Sequence, residues 1–306
     1  MKKIILLLLT TFLFAVSFQK LSFENYISKL TFNKNYIAVA LENGEIIIKS
    51  FNSFKDIAKI KLPNIEDFMG DKIPMPVFNL DIKNNKILIL AGGEDNSKNL
   101  FIFDIKTKKL SKILTTKESL MKAFFYKDKI LFAYLSDELA LYDIKNRKII
   151  YKKQIGNYVF SDCSIFKDIA VLSDESGVIK VVDIQTGKKL SELKGFNKDQ
   201  TLSIDIFQNF VINGTADKRI AVYNLKNGNT IFEFRGKFLP YGVAITDNRL
   251  AIQYNEKNDI ALFNFNKKMK LLKGHTMALN GMKFINKNRL ISYSPAEIII
   301  WNLEKN

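Results

Sequence analysis

The chain has few of the residues from which most catalytic centres are built. Its 306 residues include one cysteine, one histidine and one tryptophan. With Cys163 alone there is no intramolecular disulfide and no Cys-x-x-Cys-His site for haem attachment. A buried, inert thiol is expected there, because Cys163 sits in an alternating apolar stretch with Phe160 and Ile165. A single imidazole, His275, excludes copper centres assembled from several histidines. No glycine-rich phosphate loop precedes a helix, and no helix is convincing anywhere. Asp174-Glu175-Ser176-Gly177 lacks the spaced oxygen ligands of a metal cage and reads as a solvated turn. No catalytic residue, cofactor or metal is therefore expected.

What the chain does have is a period. Seven short strands end alike: Ile-Lys-Ser at 48–50, Ile-Phe-Asp at 102–104, Leu-Tyr-Asp at 141–143 and Val-Val-Asp at 181–183, then Val-Tyr-Asn at 222–224, Leu-Phe-Asn at 262–264 and Ile-Trp-Asn at 300–302. From one ending to the next the steps are 54, 39, 40, 41, 40 and 38 residues. A strand-rich repeat of ~40 residues predicts an all-β, seven-bladed β-propeller, each blade four strands a to d from the centre outward. In repeat five the strands read as Thr201–Phe207, Phe210–Asn213, Arg219–Leu225 and Thr230–Phe234, with Gly, Asn and Asp at the turns between them. The last repeat lacks a fourth strand, and Phe18–Phe23 is expected to supply it and close the ring. The one long step carries an insertion, Pro63–Pro76, on one face.

The N-terminus reads differently. Lys2 and Lys3 precede the apolar stretch Ile4–Val16, and Ala15-Val16-Ser17 has the small residues of a cleavage site. Residues 1–17 are thus expected to be a secretory signal, leaving a single exported domain at 18–306 and a periplasmic location. With no cysteine beside that site, a lipid anchor and a role in outer-membrane assembly are disfavoured.

The repeats resemble WD repeats. Asn213-Gly214-Thr215-Ala216-Asp217 through Val222-Tyr223-Asn224 has the family's small-residue turn, its turn aspartate Asp217 and its closing aromatic-Asn pair. Gly274-His275 stands where the family has Gly-His, and Trp301-Asn302 ends the same repeat. The resemblance implies a structural hydrogen-bond network of His, Ser, Trp and Asp. With Ala296 or Glu297 at the turn-aspartate position, the expectation is that only part survives, in His275, Ser292 and Trp301. As a whole, an exported, lysine-rich, degenerate WD propeller also resembles the L-type accessory proteins encoded with some bacterial periplasmic nitrate reductases. That resemblance implies a scaffold or accessory role. Quinone-cofactor dehydrogenase propellers carry recurrent Trp motifs, which one Trp does not match.

Formal net charge is +16. In a propeller, the a–b and c–d turns share one face, and the b–c turns share the other with the d–a loops. The c–d turns bring Lys106, Lys108, Lys109, Lys145, Arg147, Lys148, Lys188, Lys189, Lys267 and Lys268 to one face. The b–c turns hold acidic residues, among them Glu94, Asp95, Asp137, Asp174, Asp217, Asp259 and Glu297. The expectation is a ring with one basic and one acidic face, the basic face docking an acidic periplasmic protein such as a nitrate reductase component. Anionic lipid headgroups fit the same charge as a peripheral contact. Export argues against nucleic acid, and a monomer is expected. The competing reading is a hydrolase using carboxylates at the mouth of the central channel.

Overall fold

The computed structural model describes residues 17–266 and 268–303. The expected signal segment therefore lies outside the described residues except for Ser17, and Lys267 lies outside them as well.

Seven four-stranded antiparallel sheets form the blades of a β-propeller. Blade 1 comprises Ile27–Phe32, Tyr36–Leu41, Glu45–Ser50 and Asp56–Lys61. Blade 5 comprises Thr201–Phe207, Phe210–Thr215, Arg219–Asn224 and Thr230–Arg235, close to the sequence reading. The final blade takes strands a to c from Gly281–Asn286, Arg289–Tyr293 and Glu297–Asn302. Its outer strand is Ser17–Ser22, which pairs in register from Ser17 against Asn302 to Ser22 against Glu297. The ring is thus closed as expected, one residue earlier than the sequence boundary.

The recurrent strand endings have a local cause. The last residue of strand c accepts backbone N–H groups of the following turn with its side-chain oxygen. Asp104 Oδ1 accepts from Lys106 and Thr107, Asp143 Oδ1 from Asn146 and Asp183 Oδ1 from Thr186. Asn224 and Asn264 do the same for Lys226 and Lys268. An Asp or Asn there mimics a backbone turn and holds the c–d hairpin in register.

Strands b and c are buried on both sides, which explains their unbroken runs of Ile, Leu, Val and Ala, as in Ile87–Ala91. The core is divided. Among the described residues, one apolar cluster fills each of the seven gaps between neighbouring blades. Each sheet therefore buries its two faces against two different neighbours. The insertion is an ordered hairpin, with Asn64–Glu66 paired against Lys72–Pro74. Ile65 and Met75 fasten it into the cluster between blades 1 and 2.

Candidate functional site

Around His275 the structure holds more than the sequence promised. The Trp301 indole N–H donates to Ser292 Oγ at 2.8 Å, and that oxygen lies 2.7 Å from His275 Nε2. His275 Nδ1 lies 3.0 Å from Glu297 Oε1. Glu297 also accepts from the Thr276 backbone and hydroxyl and from Ser294 Oγ. The network is thus complete, with a glutamate in the role of the turn aspartate. This corrects the expectation of a broken chain, since the longer side chain spans the distance from Glu297. Burial pushes His275 down to about 4, against the opposing pull of the Glu297 carboxylate. Burial raises Glu297, but the donors from Thr276, Ser294 and His275 outweigh it and bring it to about 2. A neutral, buried imidazole held on both nitrogens is a structural strut. Asp217 has the matching local role in blade 5, accepting from Thr215 Oγ1 at 2.6 Å and pairing with Arg219.

The central channel opens into a cavity of about 390 Å³. Strand a is the inner edge of every blade, so it has ladder groups with no neighbouring strand to bond. In five blades the register of strand a shifts just before a polar residue, Lys29, Asn79, Lys122, Asp162 and Ser203, the last three of which line the channel. Several of these, with Asp81 and Asp205 two residues after theirs, satisfy the next blade. Asn79 accepts from Ala123 N at 3.1 Å, Asp81 from Phe125 N at 2.7 Å and Asp162 from Ile204 N at 2.9 Å. Ser203 accepts from Val243 N and Asp205 from Ile245 N, both at 3.2 Å. Lysines complete the belt. Lys122 pairs with Asp162, and Lys283 pairs with Asp205 at 2.9 Å. Burial alone would lower Lys122, but the Asp162 charge overrides it and the ammonium is held above its ordinary range. Burial raises Asp81.

Three carboxylates thus converge in the channel, and each accepts backbone N–H groups across a blade boundary. Sequence reasoning missed them because it weighed acidic residues at strand ends, whereas these sit inside strand a. The available signal was an Asp or Lys at one recurring position among apolar neighbours. Among the described residues there is no group of three or more His, Cys, Asp and Glu able to hold a metal. Cys163 is buried beside the channel, and burial pushes its thiol well above the ordinary range.

The two faces differ in charge, though not as simply as expected. Lys106, Lys108, Lys109, Lys145, Arg147, Lys148 and Lys188 are exposed on or beside the c–d turns of the adjacent blades 2, 3 and 4. Lys268 is exposed in blade 6. Lys189 is different: its ammonium reaches Glu192 and the Ile155 carbonyl, on the outer strand toward the opposite face. The face expected to be acidic is not strongly so. Asp137 and Asp174 are fully buried around Lys180, Asp259 is buried beside Asn255, and Glu297 is buried in the His275 network. Asp174 is therefore an ion-pair partner, not part of a solvated turn. The d–a loops add exposed Lys117, Lys194, Lys198 and Lys237 to that face. The asymmetry is a basic face opposite a mixed one.

No protein family's sequence profile matches the chain, and no curated protein matches it. Solved structures do. The β-propeller domain of Cps50 (Swd1) from Myceliophteria thermophila is similar with a TM-score of 0.74 at 11% identity, covering 95% of this chain and 100% of that one. The computationally designed Ika8 protein is similar with a TM-score of 0.68 at 15% identity, covering 92% and 97%. At such identities the likeness establishes the fold alone.

Proposed function

We propose that this propeller is a non-enzymatic interaction scaffold whose basic face captures an acidic partner protein. The observation that carries the reading is the run of exposed cations on three adjacent blades, from Lys106 to Lys188. Like charges so close repel one another, and an acidic partner relieves that repulsion on docking. The channel supports the same reading, because its carboxylates are engaged in holding inner strands together. The finer proposal is an exported accessory factor working in the periplasm with a component of a nitrate reductase system. It rests on the signal-like N-terminus and on the resemblance described above.

The test is in-cell crosslinking with mass spectrometry, comparing the parent with a variant in which Lys108, Lys109, Lys148 and Lys188 are all changed to Glu. An acidic partner captured by the parent and lost by the variant is the expected result. Capture that is indifferent to the reversal would refute the basic-face reading. A partner unrelated to nitrate reduction would refute the finer proposal while leaving the scaffold intact.

A further inference from the structure

A second site lies on the opposite face, where the insertion hairpin stands beside blade 2. The hairpin and the b–c turn of blade 2 enclose a cleft of about 610 Å³. Ile65, Ile73, Pro76 and Phe78 give it apolar walls, and Glu66, Asp67, Glu94 and Asp95 stand among its lining residues. Hydrogen bonds shape both walls. Asp67 Oδ1 accepts from Met69 N at 2.8 Å and from Asp71 N at 2.9 Å, fixing the tip of the hairpin. Opposite, Ser97 N donates to the Glu94 carbonyl, and Asn99 Nδ2 donates to the Gly92 carbonyl.

Two observations point to a ligand. Phe68, at the fixed tip, is 96% exposed and Met69 74%, so a large apolar area is held out in water by an ordered turn. Contiguous apolar surface left exposed in this way marks interaction sites and binding grooves. The carboxylates also lack cationic partners: among the described residues, Glu66, Asp67, Glu94 and Asp95 form no salt bridge, although Asp67 Oδ1 is engaged by the two backbone N–H groups of the hairpin tip. The one lysine in the lining, Lys98, has its ammonium over the Phe78 ring at 4.0 Å. A group of free acids on a chain of net charge +16 attracts cations locally.

We propose that this cleft binds a short segment of a partner protein in which a lysine or arginine stands next to a bulky apolar residue. The apolar side chain packs between Phe68 and Ile73, and the cation reaches Glu94 and Asp95. A cleft of this volume is within the range of about 300–1,000 Å³ that takes a small ligand or a few side chains. An anionic membrane surface is disfavoured as the occupant, since Glu66, Asp67 and Asp71 flank the exposed tip and would be repelled by it. The site is independent of the basic face, and each can fail without the other.

The test pans a library of random ~12-residue peptides on the full chain. Enriched peptides should pair a basic residue with a bulky apolar one. Their affinity should fall at least about tenfold for Phe68→Ala and for the double variant Glu94→Gln, Asp95→Asn, and should weaken as salt rises. Changing Lys108 and Lys109 to Glu, on the far face, should leave it unchanged. Both cleft variants alter exposed side chains, and an unchanged melting temperature establishes that they fold. Enrichment of acidic peptides, or binding indifferent to Phe68, would overturn the proposal. So would Phe68-dependent binding to phosphatidylglycerol vesicles in place of peptides.

Discussion

Ser292 carries the network around His275 on one oxygen, which accepts from the Trp301 indole and meets the imidazole. Ser292→Ala leaves two buried groups unpartnered and should cost about 1–3 kcal/mol, read from urea unfolding. The same network sets a pH dependence. In the folded protein His275 titrates at about 4, below the ordinary 6.5, so on acidification the unfolded chain takes up its proton first. The stability present above pH ~6.5 is therefore lost as pH falls from there toward 4. Glu297, at about 2 against an ordinary 4.5, extends the loss below pH ~4.5. Asp137 works in the opposite sense. Burial raises it to about 6 despite the neighbouring Lys180, and its Oδ1 has no hydrogen-bond partner. Here the folded protein is protonated first, so acidification from about 6 to 3.8 favours folding. Between pH 6.5 and 4.5, His275→Gln should lose less stability than the parent and Asp137→Asn should lose more. Parallel urea midpoints for all three proteins across that window would contradict both assignments.

Closure is a property of one element. Residues Ser17–Ser22 contribute the outer strand of the last blade, and Phe18 lies against the Trp301 ring with centroids 5.2 Å apart. Deleting 18–23 exposes the Glu297–Asn302 strand as an open edge. Melting at a clearly lower temperature, with amide exchange fastest in the last blade, is expected; an unchanged melt would show that the ring does not depend on this strand. The inner strands have their own fastening. Asp205 accepts from Ser164 in blade 4 and from Ile245 in blade 6, and it pairs with Lys283 in blade 7. Asp205→Ala should destabilise by about 2–4 kcal/mol in chemical unfolding, whereas Asp205→Asn, which keeps one of the two acceptor oxygens, should cost less. In the c–d turns Lys108 and Arg147 have φ of +58° and +51°, where blades 4 and 5 have Gly187 and Gly228. Lys108→Gly should therefore stabilise the turn by up to about 1 kcal/mol while removing one cation from the basic face.

At the scale of the whole ring, a field between two unlike faces orients encounters, with screening over ~8 Å at physiological salt. On a sulfonate exchanger, reversing Lys108, Lys109, Lys148 and Lys188 should lower the eluting salt more than reversing Lys117, Lys194, Lys198 and Lys237 on the other face. The two variants carry the same net charge, so equal elution would mean that the cations act by number and not by place.

The blade count and the turn positions were legible in the chain because each depends on residues close in sequence, and the closing strand, which pairs from the far end of the chain, was legible because the repeat count left one strand over. The period of ~40 residues and the Asp or Asn that caps the c–d turns of blades 2 to 6 are local signals. Side-chain reach is not written in a motif, so Glu297, 22 residues from His275 and at the turn-aspartate position, was not seen to complete the network. Nor could Asp81, Asp162 and Asp205 be seen to satisfy amides of the next blade. The acidic turns looked like one charged face for the same reason: sequence records that Asp137 and Asp174 are carboxylates, but only packing against Lys180 decides that they are buried. Likewise the Pro63–Pro76 insertion announced itself by its length, and the tertiary structure alone set Phe68 in solvent beside unpaired acids.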